Sequence, residues 1–436
     1  MSKFQIIIIA VFVVVTLIAV LIFAGILPGF KKGGGGGKVT EISVWGTFPA
    51  RKIQTLISDF NETNRESFKI KYSEKNPSNY ENEIVNSLAS GNGPDIWVLS
   101  QDLILKDQDK VFAIPFTSYK QRDYQDNFIE PAVLFTNSEN IFGFPLAIDP
   151  IVLYWNRDLF ASGGISRPPQ YWDEFLVDVQ TLVKRDEAGN VTQAGAALGE
   201  FQNVKNAKEI LSMLILQADN PIVKSDTRDV VLGERGESLL DPTESAVRFF
   251  NEFSNSKKTS YSWNKALPDS DKMFIAGSLA MYFGYASELE NIKAKNPHLN
   301  FDIAKVPQIK DGKIKATFGR IYSLVISKKS SQTQTALSAL LKLVDKDFSK
   351  NFSKTTGLGS ARRDVLAEGT DESTLSVIYK STIMSRAWLE PDPQQVSEIF
   401  KNMVESTATG KLKISEAVRN AKNRLEELIK SVTRNP

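Results

Sequence analysis

The chain has 436 residues, with 53 Lys and Arg against 51 Asp and Glu, a single histidine and no cysteine. A body this close to neutral gives no electrostatic footprint for nucleic acid, and the lack of cysteine removes disulfides, thiolate nucleophiles and sulfur-ligated metals. His298, in the polar turn Asn296-Pro297-His298-Leu299, stands alone, which excludes two-histidine zinc motifs and leaves a Ser-His-Asp triad only one residue to use.

In chain order, residues 4–27 form an uncharged apolar run in which Gln5 and Thr16 are the only clearly polar side chains. About 20 such residues suffice for a helix to cross a bilayer. Lys31, Lys32 and the five glycines of 33–37 follow, so residues 1–38 read as a transmembrane anchor with a flexible leash. The competing reading is a cleaved signal. The apolar run is longer than the 7–15 residues of a typical signal core, and Ile22 and Phe23 spoil the small-residue pattern before Ala24 and Gly25. The lysines on both sides leave the orientation open.

From residue 39 onward, strand and helix signals alternate, which predicts a parallel α/β architecture of about 400 residues in two domains. Residues 39–45, 68–72 and 95–99 read as strands. Between them, Ile53, Leu56, Ile57 and Phe60 mark one amphipathic helix, and Tyr80, Ile84, Val85 and Leu88 another. Residues 151–155, 278–283, 301–306 and 322–326 read as further strands. Trp172, Phe175, Leu176, Val179 and Leu182 share a helical face. Asp241-Pro242-Thr243-Glu244 is a helix start, with Asp241 as N-cap and Pro242 at the first helical position. Two helical stripes close the chain, Val396, Ile399, Phe400 and Met403, then Leu425, Leu428, Ile429 and Val432, with Gly410 between them. Core packing explains most of these stripes.

Ligands of open α/β sheets collect beyond the carboxyl ends of strands. The residues there are Trp45 and Thr47, then Ser100, Gln101 and Asp102, then Asp149, then Gly284 and Tyr285, with Arg320 just before a late strand. Aromatic faces mixed with carboxylates, amides and hydroxyls suit a sugar, which stacks its ring and donates its hydroxyls. Each residue also has a plain structural reading: Asp102 as a helix cap, Asp149-Pro150 as a turn, Trp45 as core, Arg320 as a surface ion pair. Catalysis by paired carboxylates is the sharper alternative, with Asp95, Asp102 and Asp149 as candidates, but their spacing forms no motif. Phosphate loop, nucleophile elbow and dinucleotide fingerprint are all missing.

Several segments together carry a resemblance. They are Gly91-Asn92-Gly93-Pro94-Asp95-Ile96, Phe144-Pro145-Leu146-Ala147, Leu153-Tyr154-Trp155-Asn156-Arg157-Asp158-Leu159, Pro169 with Trp172-Asp173-Glu174-Phe175, Met273-Phe274-Ile275-Ala276-Gly277-Ser278-Leu279-Ala280-Met281, and Thr356-Gly357-Leu358-Gly359-Ser360-Ala361-Arg362-Arg363-Asp364-Val365. In this order, and over nearly everything after Val39, the chain resembles the family 1 extracellular solute-binding proteins of ABC importers, which are maltose-binding-protein-like. The resemblance implies an α/β, two-lobed, type II periplasmic-binding-protein-like fold behind the N-terminal transmembrane helix. One lobe would comprise 39–147 with 318–368, the other 151–311 with 371–436.

It further implies a monomeric, non-enzymatic receptor without cofactor or metal. The receptor would be held on the extracytoplasmic side of the cell membrane, partnered by permease transmembrane subunits, and would bind a sugar by hinge closure. The family's ligand carboxylate after the third strand falls on Asp102 and its acidic residue at the first crossover on Asp149. Its aromatics fall near Tyr285 and on Trp388, beside Arg386. Leu99 stands where a stacking Trp is usual, which puts maltodextrin itself in doubt, and the anchoring lipid cysteine is missing. A tethered sensor without an importer and a membrane-bound glycosidase remain the alternatives. A polyol or glycerol phosphodiester would draw on Arg320, Arg362, Arg363 and Arg386.

Overall fold

The computed structural model describes residues 39–235 and 240–434. The apolar run 4–27 and the glycine leash lie outside them; among the described residues no helix is long and apolar enough to cross a membrane.

Three strands begin the body: β1 (Thr40–Gly46), β2 (Phe68–Glu74) and β3 (Ile96–Ser100). Ile42 and Val44 of β1, and Phe68 and Ile70 of β2, alternate into the core, whereas all of Ile96 to Leu99 is buried, as in a strand covered on both faces. Helix α1 (Ala50–Thr63) buries Ile53 and Phe60, and α2 (Tyr80–Ala89) buries Ile84 and Leu88. A single turn, α3 (Ile104–Asp107), follows β3.

The chain then leaves this group through β4 (Phe144–Asn156) and builds a second one. This holds α4 (Trp172–Leu182), β5 (Val191–Ala196), α5 (Ala207–Gln217), α6 (Pro242–Glu252), β6 (Leu279–Tyr285) and β7 (Phe301–Ala304). It returns through β8 (Thr317–Ile326) and ends in α7 (Pro393–Ala408) and α8 (Ile414–Arg434). The sheet order is β2-β1-β3-β8-β4-β6-β5, with the two-residue strand Lys184–Arg185 at the far edge.

The sheet is mixed, a correction to the all-parallel expectation. β1 with β3 and β5 with β6 are parallel, whereas β8 runs antiparallel to β3 and β4, and β4 antiparallel to β6. The cause is topological: β4 carries the chain out of the first strand group and β8 carries it back, so the adjacent pair must run in opposite directions. The first half of β4 pairs with β8 as far as Pro150↔Gly319, and the second half pairs with β6 from Ile151↔Tyr285 and with β7. The strand runs unbroken through Pro145 and Pro150, joining the segment that precedes Asp149 to the strand expected at 151–155. Pro145 falls at the register shift opposite Tyr322/Ser323 and Pro150 where the strand changes partners, places where a missing N–H costs little.

Two helix expectations illustrate what periodicity detects. The Asp241 carboxylate accepts from the Thr243 and Glu244 amides at 2.8 and 3.1 Å, capping α6 as its sequence predicts. Helix α5 had no amphipathic signature because every residue from Ala207 to Gln217 is buried.

Candidate functional site

Four neighbouring strands bring most of the candidate residues into one row. Ser100 ends β3 and is the register partner of Tyr322 on β8; two residues along β8, Arg320 is the partner of Asp149 on β4. Tyr285 ends β6 opposite Ile151, and the Arg320 guanidinium lies 4.6 Å from the centre of its ring. Asp102, just beyond β3, accepts a hydrogen bond from the Ser100 hydroxyl.

Thr47, Ser100, Asp102 and Arg320 line a single cavity of about 530 Å³, together with Tyr80 and Tyr322. This size falls within the usual range of small-molecule sites. The first turn of α2, from Asn79 to Asn82, forms more of the wall, and Asp392, Pro393 and Gln394 at the start of α7 add residues far away in sequence. Lys106 links these two parts, reaching Glu81 at 2.5 Å and Asp392 at 3.5 Å.

The other candidates stand behind or away from the cavity. Gln101 is buried, and its side-chain oxygen accepts from the Ile321 amide at 2.7 Å, so it fastens β3 to β8. Asp149 is also buried and accepts from the Ser287 amide at 3.0 Å. Gly284 is required sterically, since a Cβ there would come within 2.5 Å of the Tyr282 ring. The Trp45 ring is covered by the Lys75 ammonium, 3.6 Å from its centre. Arg386 pairs with Glu130 at 2.8 Å. Trp388 is 1% exposed, stacks on Phe400 and donates to the Ser212 hydroxyl at 3.2 Å.

Of the four arginines considered for a phosphate, only Arg320 lines the cavity. Arg362 is bound by Asp364 and Asn127, and Arg363 donates to the Gln125 and Phe128 carbonyls.

A buried charge cluster escaped the sequence reading. Lys208, at the start of α5, reaches Glu390 at 2.6 Å and Glu209 at 3.6 Å, and Glu209 lies 3.7 Å from Arg320. Burial opposes the Lys208 charge, but Glu390, Glu209 and Asp102 outweigh it and hold the ammonium above its ordinary range. Burial also pushes the Glu390 carboxyl up to about 7, against the pull of Lys208, with Asp102 adding to the rise. One Glu390 oxygen, the Tyr285 hydroxyl and the Arg320 Nε are closed off from solvent without a partner. The available signal was two adjacent charges, Lys208-Glu209, opening an otherwise apolar run.

Burial raises Asp149 from 3.8 to about 6, the Ser287 amide and Arg320 opposing it. An acid that holds its proton more tightly folded than unfolded stabilises the fold at low pH. That contribution is fully present below its unfolded value and is lost as pH rises through about 6. Asp149→Asn should therefore flatten the fall in unfolding free energy between about pH 4 and 6, by on the order of 3 kcal/mol. Denaturant melts of both proteins across that range check this; parallel profiles would refute it.

Comparison with known proteins gives the family and the fold. The family model described as bacterial extracellular solute-binding protein matches residues 55–381. The maltodextrin-binding protein of Bacillus subtilis is 21% identical over 407 residues, covering 91% of either chain. Among solved structures, the cyclic α-maltosyl-1,6-maltose binding protein of Arthrobacter globiformis superposes with a TM-score of 0.75 at 19% identity, covering 90% of this chain and 100% of that one. A solute-binding protein of Thermotoga lettingae bound with α-D-tagatose gives 0.66 at 19% identity, covering 89% and 100%.

Proposed function

The chain belongs to the bacterial extracellular solute-binding proteins, and from that premise we propose that it captures a sugar or short oligosaccharide at Asp102 and delivers it to the transmembrane subunits of an ABC importer. The observation that carries this reading is the cavity wall itself. Asp102, Ser100, Thr47 and Arg320 converge there from separate strand ends, with Tyr80 and Tyr322 beside them. A polyhydroxylated ring donates to Asp102, accepts from Arg320 and lays an apolar face against tyrosine. The sugars named for the similar proteins are of this kind.

In this reading residues 39–147 with 318–368 form one lobe and 151–311 with 371–436 the other. Closure is a hinge motion at the paired crossovers, and the ligand favours the closed form only through contacts made in that form. No bond in the solute is made or broken. Residues 1–38 hold the receptor at the outer face of the membrane, and a leash of about ten flexible residues spans roughly 20 Å, which raises the effective concentration at the permease.

A thermal-shift screen of sugars tests the reading, because a ligand that binds only the folded state raises Tm by mass action. Asp102→Ala should weaken the sugar found in this way by about 10–100-fold, the worth of hydrogen bonds to a charged group, with Tm of the free protein little changed. Unaltered affinity would move the site elsewhere. Removing residues 1–38 should release the protein from membranes while leaving its affinity intact; loss of binding on truncation would refute that division of labour.

A further inference from the structure

Two walls of the cavity come from segments far apart in sequence. One is the first turn of α2, from Asn79 to Asn82; the other is Asp392, Pro393 and Gln394 at the start of α7. On the proposed division they belong to different lobes. Lys106, itself a wall residue, touches both: its ammonium lies 2.5 Å from Glu81 and 3.5 Å from Asp392.

The turn that carries Lys106 explains its position. In α3, Ile104 and Leu105 are buried, and Asp107 is turned inward and met by Lys110 at 3.2 Å. Lys106 is the residue of that turn left facing out, 41% exposed at the cavity rim, with an alkyl stem long enough to span a gap. Asp392 is constrained from its own side. One oxygen caps α7, accepting from the Gln394 and Gln395 amides at 3.0 and 2.9 Å, and the other faces Lys106. The cap fixes the carboxylate in advance, so little side-chain entropy is lost on that side of the contact. The other charges of the wall are matched elsewhere: Ser100 donates to Asp102, and Arg320 lies against Glu209 and the Tyr285 ring. Further charged contacts cross the proposed boundary, Arg320 to Glu209 at 3.7 Å, Arg228 to Gln108 at 3.1 Å and Arg386 to Glu130 at 2.8 Å. In each of these at least one partner lies outside the cavity wall.

We propose that Lys106 is a clasp: paired with Asp392 across the cavity rim, it draws the start of α7 onto the first turn of α2 and biases the empty receptor towards its shut form. This rests on the two-lobed solute-binding reading and adds the residue that sets how often the empty cavity stands open. A partly exposed ion pair is worth at most about a fivefold change in an equilibrium, so the clasp slows entry without barring it. A solute that enters the open form binds with an affinity reduced by the fraction that is shut.

Because the chain has no cysteine, labels attach only where one is introduced. Spin labels on Ser90→Cys, at the end of α2, and on Asn402→Cys, in α7, both exposed positions, report the separation of the two walls by pulsed dipolar spectroscopy on the full chain without ligand. In about 0.1 M salt, Lys106→Met and Asp392→Asn should each raise the ratio of long to short separations about two- to fivefold. Asn keeps the cap of α7 while removing the charge, and Lys106→Gln repeats the test with a polar side chain. The Lys106 and Asp392 changes together should do no more than either alone, since both remove the same contact. In about 1 M salt, where the screening length falls to about 3 Å, the unaltered protein should shift the same way. Separations that neither substitution moves, or effects of the two that add, overturn the clasp and leave the sugar-binding reading untouched. A thermal-shift screen in which no sugar raises Tm overturns that reading alone; the clasp stands or falls on the distances.

Discussion

Lys208→Ala should lower the unfolding free energy by about 3–5 kcal/mol, the usual loss when one member of a buried ion pair is removed and the other is left uncompensated. Glu390 is the group left behind. It is 1% exposed, one of its oxygens already lacks a partner, and Glu209 and Asp102 add negative charge around it. The loss should depend on pH. Burial lifts the Glu390 carboxyl to about 7 even against the pull of Lys208, so without that lysine it lies higher still; the variant can shed its stranded charge by taking up a proton, and the deficit should narrow as pH falls towards 7. Lys208→Met combined with Glu390→Gln removes both charges and should restore most of the stability, since a buried pair contributes little relative to well-packed apolar groups. Denaturant unfolding of the three proteins at pH 8 and in mild acid measures this. A deficit that does not change with pH would mean that water reaches Glu390 and the cluster is not sealed.

Trp388→Ala should cost a similar amount, about 3–5 kcal/mol, for a different reason. The indole is fully enclosed, stacked on Phe400 with ring centres 6.0 Å apart, and its N–H is taken up by Ser212. Truncation leaves a cavity and strands that hydroxyl on α5, directly beneath the charge cluster. Trp388→Phe keeps most of the packing and should cost only about 1 kcal/mol for the lost hydrogen bond. In both variants the folded fraction should bind sugar with unchanged affinity. The resemblance to known solute receptors implied the opposite, a side chain in contact with ligand. Affinity that falls while stability holds would restore that role.

The contrast shows what could be read in the chain and what could not. Strand-end reasoning works where the sheet itself supplies the geometry. Ser100, Asp102, Asp149, Tyr285 and Arg320 come together because β3, β8, β4 and β6 are neighbours, and each residue lies at or near the point where its strand ends or changes partners. It fails where a side chain's surroundings come from a distant segment. Trp388 and Arg386 are close in sequence, yet one is enclosed under α5 and the other is paired with Glu130. Tyr322 was legible as a strand residue but not as cavity wall, because its exposure depends on what β3 leaves uncovered. Helix α5, with Lys208 and Glu209, was invisible because burial on every side erases the periodicity that betrays a surface helix.

The rung at which β8 and β4 part company has a mechanical consequence. Gly319 has no space for a side chain, since a Cβ would lie 2.5 Å from the Ser385 hydroxyl, and Pro150 opposite it carries no N–H to give. The ladder is thus thinnest where the two strand groups meet. A two-stranded ribbon with one weak rung resists sliding yet yields to bending there, so any rocking of one half against the other is funnelled into a single crease beside Asp149 and Arg320. On the proposed reading, that crease would lie on the same pair of strands as Arg320, a residue of the cavity wall.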